Sequence, residues 1–492
     1  MSKGKRMKKK KLQSPYIWTF TTYFTEGFPY TIIRTVSSVF FRDMKVPLEA
    51  IGLTSLFGIP WIIKFLWGPQ VDEYGSNRKW LISTQFILFL IMILVSAVIP
   101  FPFGIKAIVI LFLIGSFVAA THDIAIDGYY MKALDSDGQA KFVGYRVMAY
   151  RIAMMTGTGI IVTVGTTTSW TLAFALATLL FGLFFLYHFF YLEEVEEEKK
   201  GISLFFQQLA KPKTIVGSFL IVPLIISTYA FLNSVHYRLV QESYPFLKKI
   251  TFSYWIAIFL LIALIIIAVC NKPIKNCLTN NPDSFYSQAF ISFVDREKIG
   301  IILAFIILFK AGEFMLSTMV PPFIVDLGIK THYGWISSLI GLPASIVGAL
   351  LGGWCISRFS LKKIMWPFIL AQNLTNVIYM FLAFHLSNFV KINTTGIGLR
   401  NLSLVAGVHG FDQFAGGLGT AILMTYLMRL CHAKFKTAHY AIGSGLMNIG
   451  GLIPGILSGF IAARYGYGGL FGVSFLVSLP AMVLIPFLPI TN

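Results

Sequence analysis

The chain has 492 residues, 56% of them hydrophobic and only 12% charged. A soluble domain carries about 25% charged residues, so a water-facing globule is excluded and most of the outer surface must meet lipid. The formal charge of +19 does not read as a nucleic-acid footprint: Lys3, Lys5, Arg6, Lys8, Lys9, Lys10 and Lys11 precede the first apolar run, and most other basic residues fall in alternate loops. That is the positive-inside pattern, and a polybasic segment beside a helix also attracts anionic lipid.

The apolar runs are continuous rather than alternating, and several reach the roughly 20 residues a helix needs to cross the hydrocarbon core. Only helices or closed barrels satisfy their backbone polar groups there, so these runs predict helices. After a basic N-terminus at 1–15, six helices are expected near 16–41, 50–71, 80–99, 105–130, 142–164 and 170–191, forming a bundle over 16–192. A linker over 193–298 opens on Glu193, Glu194, Glu196, Glu197 and Glu198 and holds an inserted transmembrane hairpin at 215–271. Six more helices follow near 299–321, 333–356, 364–386, 402–430, 438–462 and 469–489, a second bundle over 299–490. The expectation is an all-α polytopic protein of about fourteen transmembrane helices with both termini cytoplasmic.

An internal repeat links the two bundles. After the second helix the chain reads Gly68-Pro69-Gln70-Val71-Asp72-Glu73-Tyr74, then Arg78-Lys79; the equivalent place in the second bundle reads Gly353-Trp354-Cys355-Ile356-Ser357-Arg358-Phe359, then Lys362-Lys363. In both, a glycine would let helices pack closely, a polar or acidic residue could meet a helix N-terminus, and a basic pair stays cytoplasmic. Gly68, Asp72, Arg78, Lys79 and Gly353 are therefore read as gating or structural residues.

These stretches resemble the major facilitator loop signature, with two extra residues before Arg78. Lys64-Phe65-Leu66-Trp67-Gly68-Pro69 with Asp72, and Ala120-Thr121-His122-Asp123-Ile124-Ala125-Ile126-Asp127-Gly128, are similar to the muropeptide permease (AmpG) family and its acetyl-CoA transporter relatives, which usually have Gln where this chain has His122. Phe309-Lys310-Ala311-Gly312-Glu313 and Phe411-Asp412-Gln413-Phe414-Ala415-Gly416-Gly417-Leu418-Gly419-Thr420 resemble the permease's second half. The resemblance covers about 15–192 and 299–490 and leaves out the hairpin. It implies a major facilitator fold in the inner membrane and proton-driven import of anhydro-muropeptides from cell-wall turnover, as in peptidoglycan recycling. It also implies that the first, fourth, seventh and tenth core helices line a cavity.

Ionisable groups at membrane depth are costly and usually face a cavity or a partner. Glu26 and Arg34 lie in the first helix, His122, Asp123 and Asp127 in the fourth, Arg146 and Arg151 in the fifth, Lys310 and Glu313 in the seventh and Asp412 in the tenth. Asp123 and Asp127 are one turn apart and share a face. Their mutual repulsion suits one of them to carry a proton, so Asp123, Asp127 and Glu313 are the candidates for proton coupling. Arg151 and Lys310 would hold anionic groups of the substrate, since Arg clamps carboxylates in bidentate fashion; Glu26, Tyr30, His122, Asp412 and Gln413 complete the expected binding set. Lys64, near a helix end, is expected to snorkel, and Tyr23, Tyr30, Tyr129, Tyr130 and Tyr379 could stack on sugar rings.

Cys270, Cys277, Cys355 and Cys431 show no ligand spacing, so no metal, cofactor or disulfide is expected. The glycine-rich stretch Gly416-Gly417-Leu418-Gly419 lies in an apolar helix with no preceding strand, which suits helix packing and not phosphate binding. A transporter of acyl-CoA or another organic anion is the alternative, and would need more deep basic groups. A membrane-embedded transferase using His122 with Asp123 is a lower alternative without a further His or Ser partner, so no catalytic residue is assigned and the chain is not read as an enzyme. The expected partners are a small-molecule substrate, protons and membrane lipid, with the chain a monomer.

Overall fold

A computed structural model describes residues 14–195 apart from 65–66, 69–70 and 72–73, residues 295–489 apart from 360, 392–396 and 432–435, and scattered positions from 231 to 293. The basic cluster at 3–11, Asp72 and nearly all of the hairpin at 215–271 lie outside the described residues. Every element among the described residues is a helix.

In the first half α1 runs Pro15–Thr31, through a π-turn at Ile32–Val36, into Ser37–Asp43. Helix α2 is Leu48–Leu53, a 3-10 stretch at Thr54–Gly58 and Ile59–Ile63. Then come α3 (Asn77–Val98), α4 (Gly104–Ala133), α5 (Ser136–Met155, a π-turn at Thr156–Ile161 and Val162–Thr167) and α6 (Trp170–Tyr191). Ser76 and Ser169 start α3 and α6 by accepting from the backbone N–H of Lys79 and Leu172, the side-chain cap a helix N-terminus calls for.

The second half repeats the plan. Helix α7 is Ile299–Phe309 and Ala311–Asp326, interrupted at Lys310 (φ −100°, ψ 6°). Helix α8 is Lys330–Trp335, a π-turn at Ile336–Gly341 and Leu342–Phe359, followed by α9 (Leu361–His385) and α10 (Gly398–Leu430). The run Lys436–Leu484 breaks at Gly466, whose φ of 72° and ψ of 175° turn the chain between α11 (436–465) and α12 (467–484). That left-handed φ suits a residue without Cβ. Eight helical stretches among the described residues are long and apolar enough to cross a membrane by length and composition, the last of them, Ile442–Phe487, running through both α11 and α12.

Packing echoes the sequence repeat. Helix α1 packs on α5 and α3 on α6; α7 packs on α11 and α9 on α12. Ser474 of α12 donates to Asn376 of α9 at 2.9 Å. By contacts, the described residues up to 36 and from 64 to 195 form one compact unit, and residues 37–63 with 295–489 form the other. The sequence places 37–63 in the first bundle, but side-chain and backbone contacts tie them to α7, α8 and α11. A Cβ on Gly52 would stand 2.6 Å from the Ile456 carbonyl oxygen, so only glycine permits α2 this close to α11. Arg42 Nε donates to Asp326 Oδ1 at 2.6 Å, Tyr467 donates to Asp326 Oδ2 at 2.6 Å, and Lys330 Nζ reaches Asp43 Oδ1 at 2.6 Å.

Candidate functional site

The first unit gathers five charges. Lys64 Nζ lies 2.7 Å from Asp123 Oδ2, and Arg146 Nη1 lies 3.3 Å from Asp127 Oδ1. Tyr23 donates to that same Asp127 oxygen at 2.8 Å and accepts from Arg146 at 2.8 Å. The Arg146 guanidinium also sits 5.0 Å above the Tyr23 ring and 5.3 Å above the Tyr130 ring, a cation–π arrangement on two sides. Glu26, one turn beyond Tyr23 on α1, shares the electrostatic field of Asp123, Asp127, Lys64 and Arg146. Its Oε2 is buried without a hydrogen-bond partner among the described residues. Helical spacing of three and four residues puts Tyr23, Glu26 and Tyr30 on one face of α1.

Arg151 stands one step away from this group. It lies beside Tyr150 and Tyr30, whose rings are 6.2 Å apart, and it has no ion-pair partner among the described residues. Helix α5 can bring Tyr150 so near to α1 because residue 27 is glycine: a Cβ there would stand 3.0 Å from the Tyr150 ring.

The second unit holds a smaller cluster. Lys310, at the interruption of α7, reaches Glu313 Oε1 at 3.0 Å and Thr420 Oγ1 at 2.9 Å. Gln372 of α9 donates to the other Glu313 oxygen at 2.5 Å. It passes over Gly419, where a Cβ would overlap the Gln372 amide oxygen. Asp412 is buried and accepts from Gln413 at 3.2 Å. One turn earlier on α10, His409 Nδ1 pairs with the Tyr379 hydroxyl at 3.0 Å.

The family model described as Major Facilitator Superfamily matches residues 19–276. The chain belongs to the Major Facilitator Superfamily. Within that family it is similar to AmpG-type permeases. It is 22% identical over 473 residues to the protein named putative transporter AmpG 4 of Rickettsia conorii, covering 94% of this chain and 93% of that one. It is also 22% identical over 469 residues to the anhydromuropeptide permease of Escherichia coli K12, covering 94% and 77%. Among solved structures, a peptide transporter POT in complex with sulfate matches at a TM-score of 0.65 and 12% identity, over 96% of this chain and 94% of that one. The nucleoside transporter NupG matches at 0.61 and 13%, over 96% and 98%. The superfamily fold and the apolar helices make this a multi-pass membrane protein.

The family-like motifs supply most of the clustered residues, but several expectations need correction. Lys64 does not snorkel; its ammonium group is committed to Asp123. Arg146, which the expected binding set leaves out, is the hub of the Tyr23–Asp127 group. His122, expected to touch substrate, is 1% exposed, packs edge-on to Phe181 at 6.5 Å and leaves both ring nitrogens buried without a partner among the described residues; it does not join the carboxylates. Tyr129 and Tyr379 are packing residues, with hydroxyls on the Glu193 carbonyl and on His409. Among the described residues Gly353 and Gly68 hold no close contact: a Cβ on Gly353 would meet none of them within 4 Å, and one on Gly68 only Ile124 at 4.0 Å. The tight α8–α10 approach lies instead at Gly348 and Gly417, each facing backbone of the other helix.

Arg78 donates to the carbonyls of Leu192 and Phe189 at 2.5 and 3.0 Å. A basic side chain thereby caps the C-terminus of α6, where the helix dipole favours positive charge. Sequence reasoning missed Gln372, Thr420 and His409. For Gln372 a signal was available: Gln372, Asn373, Thr375 and Asn376 form a polar run in an otherwise apolar helix. No group of three or more His, Cys, Asp or Glu among the described residues is arranged to hold a metal ion.

Proposed function

We propose that this protein is a secondary active transporter of the inner membrane that imports anhydro-muropeptide-like sugar peptides by alternating access, coupled to protons. Arg151 carries the reading of an anionic substrate. It is a guanidinium at membrane depth with no carboxylate among the described residues to neutralise it, near Tyr30 and Tyr150. An unmatched charge at that depth is costly, and a substrate carboxylate would supply the missing partner in bidentate form. The aromatic pair beside it offers a surface for a sugar ring. The names of the relatives, anhydromuropeptide permease and AmpG, agree with this substrate class.

Proton coupling is supported by charge balance. Glu26, Asp123 and Asp127 face Lys64 and Arg146, and Glu313 and Asp412 face Lys310, so each cluster has more carboxylates than cations. A buried carboxylate without a matching cation is costly as an anion, and a proton is the smallest charge that relieves it. Asp123 and Asp127 in the first cluster and Glu313 in the second are the carboxylates that would take it.

Uptake of radiolabelled anhydro-muropeptide and of acetyl-CoA into vesicles, with and without an inward proton gradient, tests substrate and coupling together. Accumulation of the muropeptide above empty vesicles, enhanced by the gradient, is expected. Accumulation of acetyl-CoA alone would replace the substrate with an acyl-CoA or similar organic anion, and uptake indifferent to the gradient would remove the proton.

A further inference from the structure

Away from both clusters, the second unit has a cavity of about 230 Å³ lined by Arg296, Arg429, Tyr426, Glu297, Ile302 and Leu361 among others. It lies where α7 and α9 begin and α10 ends, an end that also carries Lys298, Arg358, Lys362 and Lys363. By the positive-inside rule that end is cytoplasmic.

Three features of the cavity bear on what it could hold. Tyr426 is 1% exposed, its ring is fixed edge-on to Phe305 at 5.4 Å, and its hydroxyl has no hydrogen-bond partner among the described residues. Buried hydroxyls are normally satisfied, so an orphan one asks for an acceptor. Arg296 is held in place without being neutralised: its guanidinium donates to the carbonyls of Ser292 and Leu430, and Nη2 lies 2.6 Å from His439 Nδ1. No carboxylate among the described residues pairs with it, and burial pushes its pKa down from the ordinary arginine value, the sign of a cation short of an anion. Arg429 and Glu297, both exposed, also line the cavity. The N-termini of α7 and α9 add partial positive charge at the same place.

The lining also has an apolar side, formed by Ile302, Leu361 and Leu430. A bare inorganic anion would leave that side unused. We propose that this pocket binds the phosphate group of an amphiphile, with Arg296, Arg429 and the Tyr426 hydroxyl on the phosphate and the apolar wall against the rest of the molecule. A phospholipid head group and a soluble phosphorylated compound share that chemistry. Basic pockets at the cytoplasmic ends of membrane helices are suited to the first.

The test is thermal unfolding of the full chain in detergent, with phosphatidylglycerol added to the micelles or with inorganic phosphate added to the buffer. Binding to the folded state alone raises the midpoint, and a rise of about 3 °C or more is expected. A rise with phosphatidylglycerol only assigns the lipid; a rise with both assigns phosphate from solution as well. The rise should fall to less than a third in Tyr426→Phe, which removes only the unpartnered hydroxyl and leaves the fold intact, and in Arg296→Gln. No rise with either probe, or the same rise in the wild type and Tyr426→Phe, would overturn the assignment.

Discussion

Lys64, Arg146 and Lys310 each hold a carboxylate at 2.7, 3.3 and 3.0 Å, whereas Arg151 holds none among the described residues. A basic residue whose charge is already matched can contribute position, but an unmatched one can contribute binding energy to an anion. Arg151→Gln is therefore expected to weaken substrate binding by about 10- to 100-fold, the scale of a hydrogen bond to a charged group. Thermal stability should be nearly unchanged, because no native pair is lost. Arg151→Lys should recover only part of the affinity, since a point charge lacks the planar fork. Binding isotherms on the purified variants check this; undiminished affinity in Arg151→Gln would detach the residue from the substrate.

The same residues show what a single sequence reveals. Asp123, Asp127, Lys310, Glu313 and Asp412 stood out because ionisable groups are rare and expensive in apolar helices. Which cation meets which carboxylate did not follow, since Lys64 and Asp123 are far apart in sequence and meet only through packing. His122 misled for a related reason: it adjoins Asp123 in the chain, yet a helix turns each successive residue by about 100°, which carried the ring into the interior beside Phe181. Gln372 was overlooked because a neutral amide attracts less notice than a charge.

At the scale of helices, boundaries were legible and contacts were not. The expected 170–191 helix coincides with Trp170–Tyr191, and 16–41 lies within Pro15–Asp43, because apolar length and serine caps are local properties. Close approach is not local. Gly68 and Gly353 drew attention through a repeated motif, while the glycine on which the second cluster depends is Gly419. Gly419→Ala would drive a methyl group into the Gln372 amide and push that amide off Glu313. The expected outcomes are a destabilisation of about 1–3 kcal/mol from overpacking and a loss of transport larger than that of Gly353→Ala, which has open space to fill. Equal transport by the two variants would show that the Gln372–Glu313 bond does not matter to function.

A second helix-level prediction concerns the end of α1. Arg42 and Asp326 form a two-point ion pair with Tyr467 on the same carboxylate, and both partners are largely shielded from water. Charge-assisted hydrogen bonds in such surroundings are worth about 2 kcal/mol. A double-mutant cycle with Arg42→Gln and Asp326→Asn should return a coupling energy of at least about 1 kcal/mol. Additivity within about 0.5 kcal/mol would mean that the pair contributes nothing to holding α1 on α7.

For the molecule as a whole, the duplication means that each unit carries its own cluster with a surplus carboxylate. Coupling then has a signature that distinguishes it from binding. Exchange of labelled for unlabelled substrate across the membrane requires loading and reorientation but no net proton movement, whereas accumulation against a gradient requires both. If protons load on the clusters, Asp127→Asn and Glu313→Gln should lower gradient-driven accumulation by about tenfold, the scale of one pKa-unit of lost linkage, while exchange persists. Asp127→Asn also removes the anion facing Arg146, so Asp127→Glu serves as its control and should restore accumulation if the charge rather than the packing is what counts. Full gradient response in both neutral variants would move proton coupling away from these carboxylates, and loss of exchange in equal measure would mean that they bind substrate or support the fold instead.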